Sequence, residues 1–391
     1  MSARMTSARR VAELLPHLDA AFPTDLLPVV RNFLASTAGA VSADILMADY
    51  DLLVLRRLPA DMTAGILESL PVDDSAAGRA FINQDPITVV DGHEVHVYVP
   101  ISLRAERLGV LDVTLAEAPD AHALATFEQL VIVLGFLLPA AHHYTDIVER
   151  ARRERPLELP AEMQWSMLPI RAYSCGPFSL AGQLVPAYEV GGDLSTTRSR
   201  PMSCSSLDAM GHSLRASLLG TLAITALRNA RRTGLALADQ LRQADRVLHS
   251  QFGGEQFVTA LAMRIDTGTA EVVNAGHPPS YSIRNGVITT LDVAPDGPLG
   301  MFESAQYVEQ ADQLLPGDRL VLVSDGLVEA TDPVGEEYGE ARLQGALLAT
   351  AALPTGEAVR HMVRTIRDYQ DDELRDDADG TPLSRRLARW R

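Results

Sequence analysis

The sequence predicts an α+β protein built as two units in series, on three observations. Apolar residues recur at helical spacing in some stretches and alternate with polar ones in others, and the two patterns fall into blocks. A charged segment broken by Pro156 and Pro160 separates an earlier helix–strand–helix block from a later one. Four acidic positions also stand far apart in punctuated segments: Asp193 in EVGGD (189–193), Asp208 in LDAMGH (207–212), Asp325 in LVLVSDGLVEA (320–330) and Asp376 in LRDDAD (374–379). Carboxylates gathered by a fold from separated rigid segments suit a hard divalent cation, which takes several oxygen ligands.

The first block starts with apolar residues at helical spacing over 11–18 and 26–34, with Thr24 a candidate N-cap for the second helix. The period then becomes that of strands at 45–47 and 52–55. Val95, Val97 and Val99 alternate with polar neighbours, and another strand follows at 108–115 after a turn at 104–107. Residues 122–138 return to helix, so one antiparallel sheet with flanking helices is expected. The stretch VYVPISLRAERLGVLDV (97–113) resembles the hairpin of a GAF sensor domain, and the resemblance covers roughly 12–140. It implies a module that binds a small molecule or dimerises. No cysteine lies in this half, which excludes a thiol-linked chromophore. His93, His96, His122, His142 and His143 share no face with a second ligand set and are read as surface or rim residues.

Residues 141–160 are expected to form a helical connector. Two acids and four arginines cluster within 149–155. Such a helix either pairs with its symmetry mate, giving a homodimer, or serves as a solvated tether. Helix resumes over 161–168 and opens the second unit at 161.

In the second block, FSLAGQLVPA (178–187) reads as a strand running to Gly191 and Gly192, which let the backbone bring Asp193 close to a ligand. Leu214, Leu218, Leu219, Leu222, Ala226 and Leu227 mark a long amphipathic helix over 212–232, and a second helix fits 236–250. Strands are expected at 257–265, 271–275, 281–283 and 287–291, the last two joined by an Asn285-Gly286 turn. The apolar run 320–323 places Asp325 at the end of a buried strand. Two segments read poorly as strands. LSTTRSRPMSCSSL (194–207) is polar, lacks alternation and contains Pro201, which predicts against Asp193 and Asp208 on adjacent strands. GTPLSRRLARW (380–390) carries Pro382 and paired arginines, unfavourable in a core strand.

A chain of 391 residues with 47% hydrophobic content supports real cores and excludes wholesale disorder. Its 34 Lys and Arg face 51 Asp and Glu, and the net charge of −17 argues against a nucleic-acid partner. Cys175 and Cys204 lack metal-ligand spacing and read as free thiols of a cytoplasmic protein. No signal-peptide core follows Arg4, Arg9 and Arg10. The apolar run 130–141, with Pro139, is read as the buried face of a helix too short to span a bilayer, so no membrane partner is expected.

Taken in order over 161–391, VPAYEVGGD, DAMGH, GGEQFVTALA, NAGHPPSY, PLG, LLPGDRLVLVSDGLVEATDP and ELRDDA are similar to the successive motifs of the PPM-type (PP2C-like) serine/threonine phosphatases, in the SpoIIE/RsbU-like bacterial branch. The resemblance implies an α-β-β-α sandwich with two Mn²⁺ or Mg²⁺ ions at one edge. It also implies hydrolysis of phosphoserine or phosphothreonine by a metal-activated water, with no covalent nucleophile. By correspondence Asp193 binds metal, Asp208 bridges the ions and Ala209 lends its carbonyl. Asp325 binds one ion, and Asp376 with Asp377 closes the site. Asn274 and His277 are expected at the site rim, and His212 is read as a buried, hydrogen-bonded imidazole. Met210 stands where the family's catalytic histidine lies, Ser213 replaces a glycine, and Asp379 stands where threonine is usual. The function implied is dephosphorylation of a phosphorylated protein, such as an anti-sigma-factor antagonist in sigma-factor partner switching. The alternative is a phosphatase-fold regulatory protein whose catalysis is reduced or lost.

Overall fold

The computed structural model describes residues 2–59, 67–175, 178–185, 193–199, 202–211, 214–266, 268–291, 293–370 and 383–390. The chain divides into two compact units, Met1–Pro156 and Leu157–Arg391.

In the first unit the elements run α1 (Ser2–Ala20), α2 (Leu26–Ala38), β1 (Ser42–Ala48), β2 (Val54–Arg57), β3 (Ser69–Pro71), α3 (Ala76–Asn83), β4 (Ile87–Asp91), β5 (Glu94–Leu103), β6 (Glu106–Leu115), α4 (Ala121–Ala141) and α5 (Ile147–Arg152). The strands form one antiparallel sheet in the order β3-β2-β1-β6-β5-β4. Strand alternation assigns its two faces. Ile45, Met47, Val97 and Val113 pack with Val30, Leu34 and Leu130 of α2 and α4. Leu46, Ala48 and Val110 pack on the opposite face with Phe81 of α3.

Two sequence expectations change here. The apolar run at 130–141 is the end of a 21-residue helix, α4, which by length and composition alone is long and apolar enough to cross a membrane. Leu130, Leu134 and Leu138 are fully buried in the core of this unit, whereas Ile132 and Phe136 are exposed. The charged segment is not wholly a connector, because α5 packs into the same core through Ile147, Val148 and Ala151. The Tyr50 hydroxyl donates to the Glu149 carboxylate. The Arg152 guanidinium lies 4.6 Å above the Tyr50 ring, and the Tyr50 N–H donates to the Arg152 carbonyl at 3.1 Å. Burial pushes the Tyr50 pKa up, so the phenol stays a donor. A segment that looks solvated in sequence is thus charge-matched against an aromatic, and the boundary between units falls at Pro156.

The second unit contains α6 (Leu159–Met167), β7 (Ala172–Cys175), β8 (Phe178–Val185), β9 (Leu194–Ser199), β10 (Met202–Ala209), α7 (Leu214–Arg232), α8 (Leu237–Phe252), β11 (Val258–Asp266), β12 (Thr269–Ala275), β13 (Tyr281–Arg284), β14 (Val287–Thr290), β15 (Gln310–Gln313), β16 (Arg319–Val323), α9 (Gly339–Ala349), α10 (Thr355–Tyr369) and β17 (Leu383–Trp390). One sheet has the order β15-β12-β11-β10-β9 and the other β14-β13-β16-β17-β8-β7. The sheets pack face to face through Cys204, Leu261 and Met263 from one, and Leu180, Leu320 and Leu322 from the other. Leu207, Ala260 and Val273 face outward onto α7 and α8. Val321 and Val323 face outward onto α9 and α10. Four layers result, helix–sheet–sheet–helix.

Both doubtful strands form. Residues 194–199 and 202–207 pair as β9 and β10, with Leu194 opposite Leu207 and Ser199 opposite Met202. Apolar alternation is lacking because this hairpin buries polar side chains: Ser195, Thr196, Ser203, Ser205 and Ser206 are all buried. Residues 383–390 form β17, paired with both β16 and β8 at the centre of its sheet. Its ladder starts one residue after Pro382, and pairing on both sides outweighs the weak strand propensity of its arginines.

Candidate functional site

The β9–β10 register, continued one residue past Leu194 and Leu207, sets Asp193 across from Asp208. Leu194 and Leu207 face α7 and α8, so the pleat turns both aspartates toward the gap between the sheets. From the other sheet β16 lines that gap with Leu320 and Leu322 and delivers Ser324 and Asp325 at its end. The Ser324 hydroxyl donates to Asp193 Oδ2 at 2.9 Å, an interaction that ties the two sheets together. Asp193 is buried, and its backbone carbonyl accepts from the Gln164 side-chain amide on α6. Asp325 opens a 3-10 turn, Asp325–Leu327, and the Gly326 N–H donates to its Oδ1 at 2.8 Å.

The carboxyls of Asp208 and Asp325 lie close enough to influence one another's protonation. Burial above all, then the proximity and charge of Asp325 and the charge of Glu329, pushes the Asp208 pKa up to about 7. Two carboxyls in contact cannot both ionise cheaply, so without a cation the pair retains a proton. Glu329, one turn on, is also raised, by burial first and then by Asp325 and Glu337. Half-buried Asp208 and exposed Glu329, both with raised proton affinity, are oxygen donors chemically suited to a hard divalent cation, whose charge would take over the role of the retained proton.

Of the residues expected at a metal site, the fold brings Asp208 and Asp325 into contact and sets Asp193 across the hairpin, turned to Ser324. Ala209 ends β10 beside Asp208, with its side chain in the helix-facing core. Asp376, Asp377 and Asp379 lie outside the described residues, as do His212 and Ser213. Among the described residues no group of three or more His, Cys, Asp or Glu side chains is arranged to hold a metal ion. Met210, just past the end of β10, is 48% exposed.

Asn274 and His277 are not at a rim. Both are 4% exposed. The Asn274 carbonyl oxygen accepts from the His277 N–H at 2.8 Å, and its amide donates to the His277 carbonyl at 3.1 Å, closing the turn. Gly276 within it has φ +71, and a Cβ there would lie 2.9 Å from the Pro298 ring, so the position needs glycine. His277 Nδ1 lies 3.0 Å from Thr259 Oγ1, and Thr259 is the β11 partner of Asp208. Burial pushes the His277 pKa down to about 4, against an opposing pull from the Val323 backbone. The imidazole is therefore a neutral interior support behind Asp208.

Sequence reasoning missed Ser324, Glu329, Thr259 and Gln164. Ser324 and Glu329 belong to the Asp325 segment, so their proximity was a usable signal. Thr259 follows only from strand register, and Gln164, 29 residues from its partner, carried no local signal.

Residues 201–379 match the family model for Stage II sporulation protein E (SpoIIE). Over 132 residues the chain is 31% identical to Phosphoserine phosphatase RsbP of Bacillus subtilis (strain 168), a match spanning 32% of this chain and only 32% of that relative. Over 251 residues it is 22% identical to Phosphoserine phosphatase RsbU of the same organism, covering 63% of this chain and 75% of the relative. Among solved structures, the SiaA-PP2C domain of Pseudomonas aeruginosa superposes with a TM-score of 0.49 at 20% identity, over 59% of this chain and 94% of that one. Over the matched residues the second unit is thus similar to SpoIIE and to these two phosphoserine phosphatases.

Proposed function

We propose that the second unit is a metal-dependent protein phosphatase that hydrolyses phosphoserine or phosphothreonine on a partner protein. The observation that carries this reading is the contact of Asp208 with Asp325 at the end of the inter-sheet gap, with Asp193 across the hairpin. Mn²⁺ or Mg²⁺ ions held there would offset the charge of the phosphate dianion and activate water for in-line attack. In this reading Asp208 would be the ligand shared by the ions, and Asp325 would hold one from a rigid strand end. Asp193 serves as a metal ligand steadied by Ser324, the Ala209 carbonyl is a backbone ligand, and Asp376 with Asp377 completes the set. His277, neutral and buried, acts through Thr259 to keep Asp208 in place. The similarity to two proteins named phosphoserine phosphatases supports the substrate class, and an anti-sigma-factor antagonist is the partner we favour.

The first unit is proposed as a GAF-like sensor over 12–140, followed by a short connector to a catalytic domain over 161–391. Exposed Ile132 and Phe136 on α4 support a homodimer formed through that helix. A cytoplasmic location is part of the same proposal.

The test uses the purified full chain with p-nitrophenyl phosphate. Hydrolysis is expected with Mn²⁺ or Mg²⁺, abolished by chelator and by Asp325→Asn, with an unchanged circular dichroism spectrum. Inert wild type, with calorimetry showing no millimolar-or-tighter Mn²⁺ binding, overturns the reading.

A further inference from the structure

A chain of net charge −17 repels acidic partners unless it concentrates positive charge locally. Among the described residues of the second unit, one such place lies at the end of α7. The last turn of α7 carries Arg231 and Arg232, with Arg228 one turn earlier. All three line a pocket of about 420 Å³, together with Thr196 and Thr197 of β9 and Leu180 of β8. β9 is the terminal strand of one sheet, and β7, which also contributes to the pocket, is the terminal strand of the other.

The arginines differ in role. Arg228 donates to the Met167 carbonyl and, through Nε, to Thr196 Oγ1 at 3.3 Å. Arg231 Nη1 donates to the same hydroxyl at 3.2 Å. Thr196 is itself buried, so it anchors two guanidiniums side by side. A guanidinium presents its five N–H donors in a planar fork that matches a carboxylate. Arg232 is exposed at the mouth. A helix C-terminus alone accounts for one or two basic residues, through the macrodipole. It does not account for two of them converging on one buried hydroxyl in the wall of a pocket.

We propose that this pocket docks an acidic segment of the phosphorylated partner protein, an inference that rests on the phosphatase reading of the Asp208–Asp325 site. Strand geometry sets the spacing. Thr196 and Thr197 lie three and four residues along β9 from Asp193, about 10–13 Å at 3.3 Å per residue. An extended peptide advances by the same rise. With its phosphorylated side chain at Asp208 and Asp325, such a peptide brings residues three to five positions away to the arginines. Acidic side chains there meet Arg231 and Arg232, and the apolar floor at Leu180 receives a side-chain stem. Charge complementarity commits the occupant to a carboxylate-rich peptide. A pocket built only for a small anion has no need of that spacing.

The experiment measures binding and turnover separately. A fluorescein-labelled peptide with one phosphoserine and glutamates three to five residues on either side is titrated with the full chain in EDTA, read by fluorescence anisotropy. The Arg231→Ala/Arg232→Ala double variant is expected to bind at least about tenfold more weakly, and wild-type affinity to fall as salt rises through the Debye range. Arg231→Lys/Arg232→Lys should restore most of the affinity. With Mn²⁺, the double variant should hydrolyse p-nitrophenyl phosphate like wild type while its KM for the peptide rises. Equal peptide affinity in the double variant overturns docking, as does equal affinity for a peptide with glutamine in place of glutamate. Inorganic phosphate binding as tightly as the peptide also overturns it, in favour of a small-anion site. If the arginine-dependent binding holds but neither substrate turns over with Mn²⁺, docking stands and the phosphatase reading fails.

Discussion

Replacing Asp208 with asparagine is expected to stabilise the metal-free protein at alkaline pH while removing any stabilisation by a divalent cation. Burial and the neighbouring Asp325 raise the Asp208 pKa from 3.8 to about 7. In the unfolded chain this carboxyl loses its proton near its ordinary value, whereas the folded protein keeps it until near neutrality. The stability gained from that proton is fully present below the unfolded pKa and is lost as pH rises through the folded one. At 1.36 kcal/mol per pKa unit, the interval sets a ceiling of about 4 kcal/mol on what the ionised pair costs metal-free protein above pH 7. Asparagine carries no charge but loses the good fit of the carboxyl, so about half that ceiling, ~2 kcal/mol, is the expected gain. For a unit of this size that is roughly 4–8 °C in Tm. Scanning calorimetry of the full chain in EDTA should show the transition of the second unit shifted up by that amount at pH 8. At pH 5, where wild-type Asp208 is protonated, the variant should melt close to wild type. Millimolar Mn²⁺ should raise the wild-type transition and leave the variant unmoved, because only a site that binds in the folded state contributes. A variant that melts lower than wild type by the same amount at both pH values would refute the argument. Asp208 would then be an ordinary hydrogen-bonded side chain.

His277 should remain neutral down to about pH 5, since burial holds its pKa near 4; an NMR titration of its ring proton with a midpoint near 6.5 would contradict that interior placement. His277→Leu should lower stability by about 1–2 kcal/mol for the lost Thr259 bond and reduce kcat more than KM for p-nitrophenyl phosphate, whereas an unchanged kcat would remove its positioning role. Limited trypsin digestion should cut after Arg153, beyond the packed α5 helix, and leave two folded fragments; primary cleavage after Arg150 or Arg152 would mean that α5 does not pack as described.

Local chemistry made much of the fold legible. The helices over 214–232 and 237–252 announced themselves through apolar faces, and the Asn285-Gly286 hairpin through its turn residues. The apolar run before Asp325 correctly read as a strand with the aspartate at its end. Strands 194–199 and 383–390 were illegible because neither carries a hydrophobic pattern of its own. The first buries Ser195 and Thr196, the latter bonded to Arg228 and Arg231 of α7, and the second owes its place to backbone ladders on both edges. Periodicity registers which residues are apolar and says nothing about who satisfies a buried hydroxyl. The same limit explains α5, whose arginines looked solvated until Tyr50 supplied the matching surface.

By itself the sequence determined that carboxylates at 193, 208 and 325 sit at rigid, punctuated points of an α+β chain, because glycines, turns and strand ends are properties of neighbouring residues. Which carboxylates meet was decided only by tertiary structure. The register of β9 on β10 sets Asp193 opposite Asp208, and the packing of one sheet on the other brings Asp325 close enough to Asp208 to influence its protonation. Tertiary packing likewise moved His277 from an expected rim to the interior and raised the proton affinity of Asp208. Both effects come from excluding water and juxtaposing like charges across distances in the chain that no local pattern spans.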